Sequence, residues 1–87
     1  VVEGHTDNQA MNSSTIKDNW DLSVLRATSV VRYMTTDGKM DPIKIIPSGR
    51  SKYVPVNAED TKEARAENRR IEIILTPKLD QLMDIIK

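Results

Sequence analysis

The chain has 87 residues, 13 of them Lys or Arg and 13 Asp or Glu, with 3% aromatics, no Phe and no Cys. That length holds one domain at most, and the balanced charge excludes a long-range field that would gather nucleic acid or an anionic membrane surface. Three large rings argue against a stacking platform for bases, while the lack of Cys excludes disulfide and thiolate chemistry and leaves the compartment open.

Val1 and Val2 are β-branched and run into Gly4, which predicts the end of a buried strand whose beginning is missing from the chain. Residues 8–19 are polar and unpatterned, a loop by composition. Trp20, Val24, Ala27, Val31 and Met34 then fall on one helical face, which predicts an amphipathic helix with this stripe packed as core. Asp18 or Asn19 is placed to cap it, and Asp21 to face the positive end of its dipole. Leu22, Arg26 and Tyr33 form a second stripe, roughly 120 to 160° from the first, so Arg26 sits beside apolar neighbours. Thr36-Asp37-Gly38 ends the helix, Asp41-Pro42 turns the chain, and Ile43–Ile46 is predicted as a short strand halted by Pro47 and Gly49. Tyr53 and Pro55 lie in the loop that follows.

Asp60 to Glu63 has capping-box spacing ahead of a short polar helix reaching Asn68. Between Arg70 and Thr76, Ile71, Ile73 and Leu75 alternate with Arg70, Glu72 and Ile74, the period of a strand with one face in the core. Residues 78–87 place Leu79, Leu82, Met83 and Ile86 on one side, a terminal amphipathic helix. Alternating strands and helices predict an α+β domain, a two-layer sandwich of one sheet and its helices. No run reaches the roughly 18 apolar residues of a membrane span, and no leader pattern is visible.

Polar groups concentrate in the stretch EGHTDN, residues 3–8. His5 is the single histidine, and a metal site on one His without Cys needs several carboxylates at fixed spacing; none is apparent, so no metal or cofactor is expected. His5, Asp7 and Ser13 or Ser14 are residue types of acyl transfer, yet no nucleophile elbow is present and no triad is ordered, so no enzyme is expected. Structural roles stay open beside binding ones: Asp7 can cap a turn, Arg26 can lie along the helix or pair with an acid, and Arg69 can pair with Glu63 or Glu67.

Several ordered blocks carry a resemblance: Glu3-Gly4-His5-Thr6-Asp7, Asn19-Trp20-Asp21-Leu22-Ser23 with Arg26-Ala27 and Ser29-Val30-Val31, then Pro55-Val56, Thr61, Arg65 and Asn68-Arg69-Arg70-Ile71-Glu72-Ile73. Over residues 1–77 the chain resembles the OmpA-like peptidoglycan-binding domain, the family of outer membrane protein A tails, the peptidoglycan-associated lipoprotein and flagellar motor stator B subunits. Two blocks, WDLS and ILTPKLDQL, look similar to members from Bacteroidetes. The resemblance implies a β-α-β-α-β fold with a mixed sheet, whose first strand and helix precede the EGHTD strand and are absent here.

It also implies a ligand, the diaminopimelate residue of peptidoglycan stem peptides. Asp7 and Arg26 match the family's binding pair, and Thr6, Asn19, Leu22 and Arg69 match positions lining the pocket. An acid accepts from the ammonium of such a ligand and a guanidinium fork grips its carboxylate. The glycine usual soon after the HTD block is missing, the Asn8–Asp18 loop is a few residues longer than is common, and Glu59 and Ala64 stand where Asn and Gly are frequent. The expected function is non-catalytic anchoring of an envelope protein to the wall, in the periplasm and associated with the outer membrane. A membrane would be reached only through missing upstream segments, and nucleic acid is not a partner. The wall-binding tail of a motor stator is the alternative, and an uncovered sheet edge would invite a homodimer.

Overall fold

A computed structural model describes residues 1–75. They form β1 (Val2–His5), α1 (Asn19–Thr36), a 3-10 turn (Pro42–Lys44), β2 (Pro47–Gly49), α2 (Lys62–Asn68) and β3 (Arg70–Ile73). Strand β1 is central in a sheet of order β2-β1-β3, parallel to β2 and antiparallel to β3. Parallel neighbours need a crossover, and α1 supplies it while packing on both strands. The mixed sheet and helices make the α+β fold that the element order predicts. Thr76 and the helix expected over 78–87 lie outside the described residues.

Asp18 caps α1, accepting from the Asp21 amide at 3.0 Å, and the amides of Asp37 and Gly38 close the other end on the Tyr33 carbonyl. The face that α1 lays on the sheet differs from the expected core stripe. Asn19, Ser23 and Ala27 are its buried residues, whereas Trp20 and Val24 are exposed and Val31 and Met34 half-buried. Ala27 belongs to both sets, so the contact is rotated by about 60°, less than one residue. Its cause lies in the sheet, where Gly4 and Gly49 are register partners. A Cβ on Gly4 would run into the Ser23 carbonyl, and one on Gly49 into the Ser23 hydroxyl and the Val24 side chain. The glycine pair lets the helix backbone approach, and only small residues fit at the point of contact. Ser23 Oγ is used there, accepting from the Ser51 amide at 3.1 Å and donating to the Trp20 carbonyl at 2.9 Å.

Three local expectations are corrected. Ile43–Ile46 forms no strand: Asp41 accepts from the Ile43 amide at 3.1 Å and Pro42 opens a 3-10 turn, so pairing starts only where the Val2 amide donates to the Ile46 carbonyl at 2.8 Å. Pro47, expected to halt a strand, begins β2, a first position where a missing N–H is tolerated. The cap of α2 is Thr61, whose Oγ1 accepts from the Ala64 amide at 3.0 Å, and Asp60 caps nothing. The last strand ends at Ile73, and its expected core face is thinly covered, with Ile71 half-buried and Ile73 and Leu75 exposed. On the other face the register sets Glu3 opposite Glu72 and His5 opposite Arg70, so the buried side of β1 beyond the helix is polar.

Candidate binding site

β1 delivers Thr6 and Asp7 to the rim of the sheet, held by the Thr6 amide donating to the Ser51 carbonyl at 3.0 Å. Asp7 Oδ1 accepts from the Gln9 amide at 3.0 Å, a side-chain turn that folds the loop back over the strand end. Turn capping is thus one role Asp7 performs. Its Oδ2 accepts from Arg69 Nη1 at 2.7 Å, so Arg69 pairs with Asp7 and not with Glu63 or Glu67. Arg69 follows α2 directly, which carries a guanidinium from far along the chain to the end of β1.

The first turns of α1 form the opposite wall. Asn19 Nδ2 donates to the Gln9 carbonyl at 3.0 Å and reaches the Asp7 carbonyl at 3.5 Å, while its buried Oδ1 has no partner among the described residues. Arg26 follows Leu22 by one turn and donates from Nη1 to the His5 carbonyl at 3.3 Å. Its other donors make no hydrogen bond among the described residues, which leaves most of the fork for another acceptor.

Thr6, Asp7, Asn19, Leu22, Arg26 and Arg69 line one cavity of about 220 Å³. The structure brings all six sequence-predicted residues together. Gln9, Ala10 and Met11 complete the lining, and sequence reasoning missed them because the loop has no periodicity. The turn made by Asp7 is what folds them in, and an acid followed two residues later by a polar loop position was the available signal. Chemically the cavity offers one carboxylate and two guanidiniums, with Leu22 and Met11 as apolar contacts, a set suited to a small zwitterion. Outside it, Asn8 Nδ2 donates to Asp60 Oδ1 at 3.0 Å. That bond, ahead of nearby Arg65, holds the exposed Asp60 carboxyl below the usual carboxylate range.

A second polar group lies on the face of β1 away from α1. His5 Nε2 stands 2.8 Å from Glu3 Oε1 and 3.3 Å from Glu72 Oε2, so carboxylates do gather around His5, although no such set is apparent in the sequence. Glu3 and His5 are two apart on a strand, a spacing visible in the sequence; Glu72 joins through pairing register, which is not. The three offer ligand atoms within 4.8 Å of one another. The surroundings fit a metal poorly. Arg50 Nε and Arg70 Nε each lie 3.3 Å from a glutamate oxygen and already balance both carboxylates. Nε2 facing two acceptors carries the hydrogen, and a metal there would move it to Nδ1, which has no partner among the described residues. The acyl-transfer arrangement does not assemble, because His5 faces Glu3 and Ser13 Oγ accepts from the amides of Thr15 and Ile16.

The chain is 35% identical over 78 residues to Motility protein B of Bacillus subtilis, covering 90% of this chain and 30% of that protein. It is 37% identical over 73 residues to Outer membrane protein A of Bordetella avium, covering 84% and 35%. The crystal structure of a MotB-like protein from Desulfovibrio vulgaris superposes with a TM-score of 0.72 at 32% identity, over 80% of this chain and 43% of that one. The chain therefore spans about a third of the length of these curated relatives. Their names are those of motility and outer membrane proteins, and neither names an enzyme. A profile of the OmpA family matches residues 1–69, and with these relatives it shows that the chain belongs to the OmpA family.

Proposed function

We propose that the chain is a non-catalytic module that binds peptidoglycan, with the Asp7–Arg26 cavity taking the free amino-acid end of a diaminopimelate side chain. The supporting observation is the convergence of six residues from the end of β1, the start of α1 and the end of α2 on one small cavity. Asp7 keeps an oxygen lone pair for the ligand ammonium, beside Arg69, and Arg26 offers its uncommitted fork to the ligand carboxylate. Each charge-assisted bond contributes roughly 1.5 to 3 kcal/mol, so one stem peptide is held modestly and repeated stems on the wall raise the apparent affinity. On this reading the protein works in the cell envelope, facing the wall.

The test is co-sedimentation with purified sacculi, comparing wild type with Asp7→Ala and Arg26→Ala, each shown by circular dichroism to be folded. Both variants should remain in the supernatant; undiminished pelleting of both ends the proposal. Relatives named for motility support a second reading, the wall-anchoring part of a motor stator. The full-length gene product separates the two, because a single membrane helix carrying an acidic residue indicates a stator and a barrel or lipid anchor an outer-membrane tether.

A further inference from the structure

We infer that His5 is the positioning residue of the cavity: its ring fixes the strand end on which Asp7, Arg26 and Arg69 all depend, and so sets how firmly the ligand is gripped; this rests on the peptidoglycan reading above. His5 is 1% exposed and is the last residue of β1, paired with Arg70. It lines no part of the 220 Å³ cavity, so any effect it has on binding is exerted through other residues.

Two routes lead from this residue to the three charged groups. Through the backbone, the His5 carbonyl accepts from Arg26 Nη1, and Thr6 and Asp7 are the next two residues along. Through the ring, Nε2 faces Glu3 on its own strand and Glu72 on β3, so one N–H ties two strands together. Glu72 stands against Arg70 Nε, and the same guanidinium donates to the Val54 carbonyl at 2.9 Å and the Asn68 carbonyl at 3.4 Å. Asn68 is followed by Arg69, whose Nη1 donates to Asp7 Oδ2. Strand ends open more readily than strand centres, and a buried polar tie with several partners holds such an end in one geometry. Only one ring nitrogen serves this purpose, because Nδ1 has no partner among the described residues. A side chain that restores an N–H at the Nε2 site should therefore suffice, whereas one that restores only the Nδ1 site should not. Glutamine and asparagine separate the two cases, since the longer amide reaches the Nε2 position and the shorter one the Nδ1 position.

The experiment titrates the full chain by calorimetry with a sugar-free stem tetrapeptide carrying diaminopimelate, and records the arginine side-chain N–H resonances of the free protein. His5→Gln should bind within about twofold of wild type, while His5→Asn, at a temperature where circular dichroism shows it folded, should bind roughly tenfold more weakly. The Asn variant should also shift the Arg26 and Arg69 signals, which the Gln variant should leave in place. Glu72→Ala removes only the β3 side of the tie, at a side chain that is 44% exposed, and carries the test if His5→Asn does not fold; it should weaken binding in the same direction. Wild-type affinity in folded His5→Asn or in Glu72→Ala, or equal weakening by His5→Gln and His5→Asn, overturns the positioning role and leaves the peptide cavity standing. A wild-type chain that does not bind the tetrapeptide overturns the peptidoglycan reading and this inference with it.

Discussion

Replacing Gly4 with Ala isolates the contact that sets the register of α1. A Cβ there meets the Ser23 carbonyl oxygen in hard overlap, with the Ser23 carbonyl carbon at 3.0 Å and its Cα at 3.4 Å. All three are backbone atoms, so no flexible side chain can give way. β1 cannot retreat either, since Gly4 is paired with Gly49 on one side and Ile71 on the other. Overpacking of this kind costs about 1 to 3 kcal/mol, and the upper half applies when both partners are backbone. Reduced freedom of the unfolded chain returns about 0.4 to 1 kcal/mol, leaving a net loss near 2 kcal/mol. For a domain of this size that lowers Tm by roughly 8 to 16 °C. Thermal melts followed by far-ultraviolet circular dichroism, with urea unfolding to confirm an unchanged m-value, measure it. Ser23→Gly should not rescue the variant, because the obstructing atom belongs to the carbonyl. A Gly4→Ala protein melting within about 2 °C of wild type would refute the account of how helix and sheet are seated.

A double-mutant cycle on Asp7→Asn and Arg69→Ala should give a stability coupling below about 1 kcal/mol, since the Arg69 side chain is 48% exposed and solvent screens the pair; a coupling above about 2 kcal/mol contradicts that. Thr61→Ala should cost about 1 kcal/mol by urea unfolding and Asp60→Ala clearly less at neutral pH, with the reverse order restoring Asp60 as the cap. The Asp60 carboxyl titrates below its ordinary value, chiefly through Asn8, so its contribution is complete above pH 3.8 and is lost as pH falls through the lower folded value. The difference in Tm between wild type and Asp60→Asn should therefore be constant from pH 7 to 5 and vanish in strong acid; a difference that grows as pH falls would reverse the sign.

The parts of this fold that the sequence makes legible are those governed by local chemistry. Asp18, one of the two caps the sequence offers for α1, is placed to accept from the first-turn amides, and the strand at residue 70 follows from simple alternation. What escaped was set by pairing. Nothing local shows that Gly4 will lie beside Gly49, yet that match rotates the helix and turns Trp20 from core to surface. Likewise Ile43–Ile46 is apolar enough for a strand, but Asp41 and Pro42 hold it in a turn and the ladder begins at a proline. The candidate site was legible for a different reason: Thr6, Asp7, Asn19, Leu22, Arg26 and Arg69 were located by ordered motif blocks, whereas Gln9, Ala10 and Met11 depend on how one side-chain turn folds a patternless loop. The partners of His5 were half visible, with Glu3 two residues away and Glu72 brought in only by register.

The central position of β1 has a mechanical corollary. Asp7 sits just past the end of that strand, so tension applied at its carboxylate runs into the β1 backbone along the strand axis. For a pull directed along that axis, the hydrogen bonds to β2 and β3 on both flanks are loaded together, in shear, instead of being peeled one at a time. A module pulled along β1 resists with all three described strands at once.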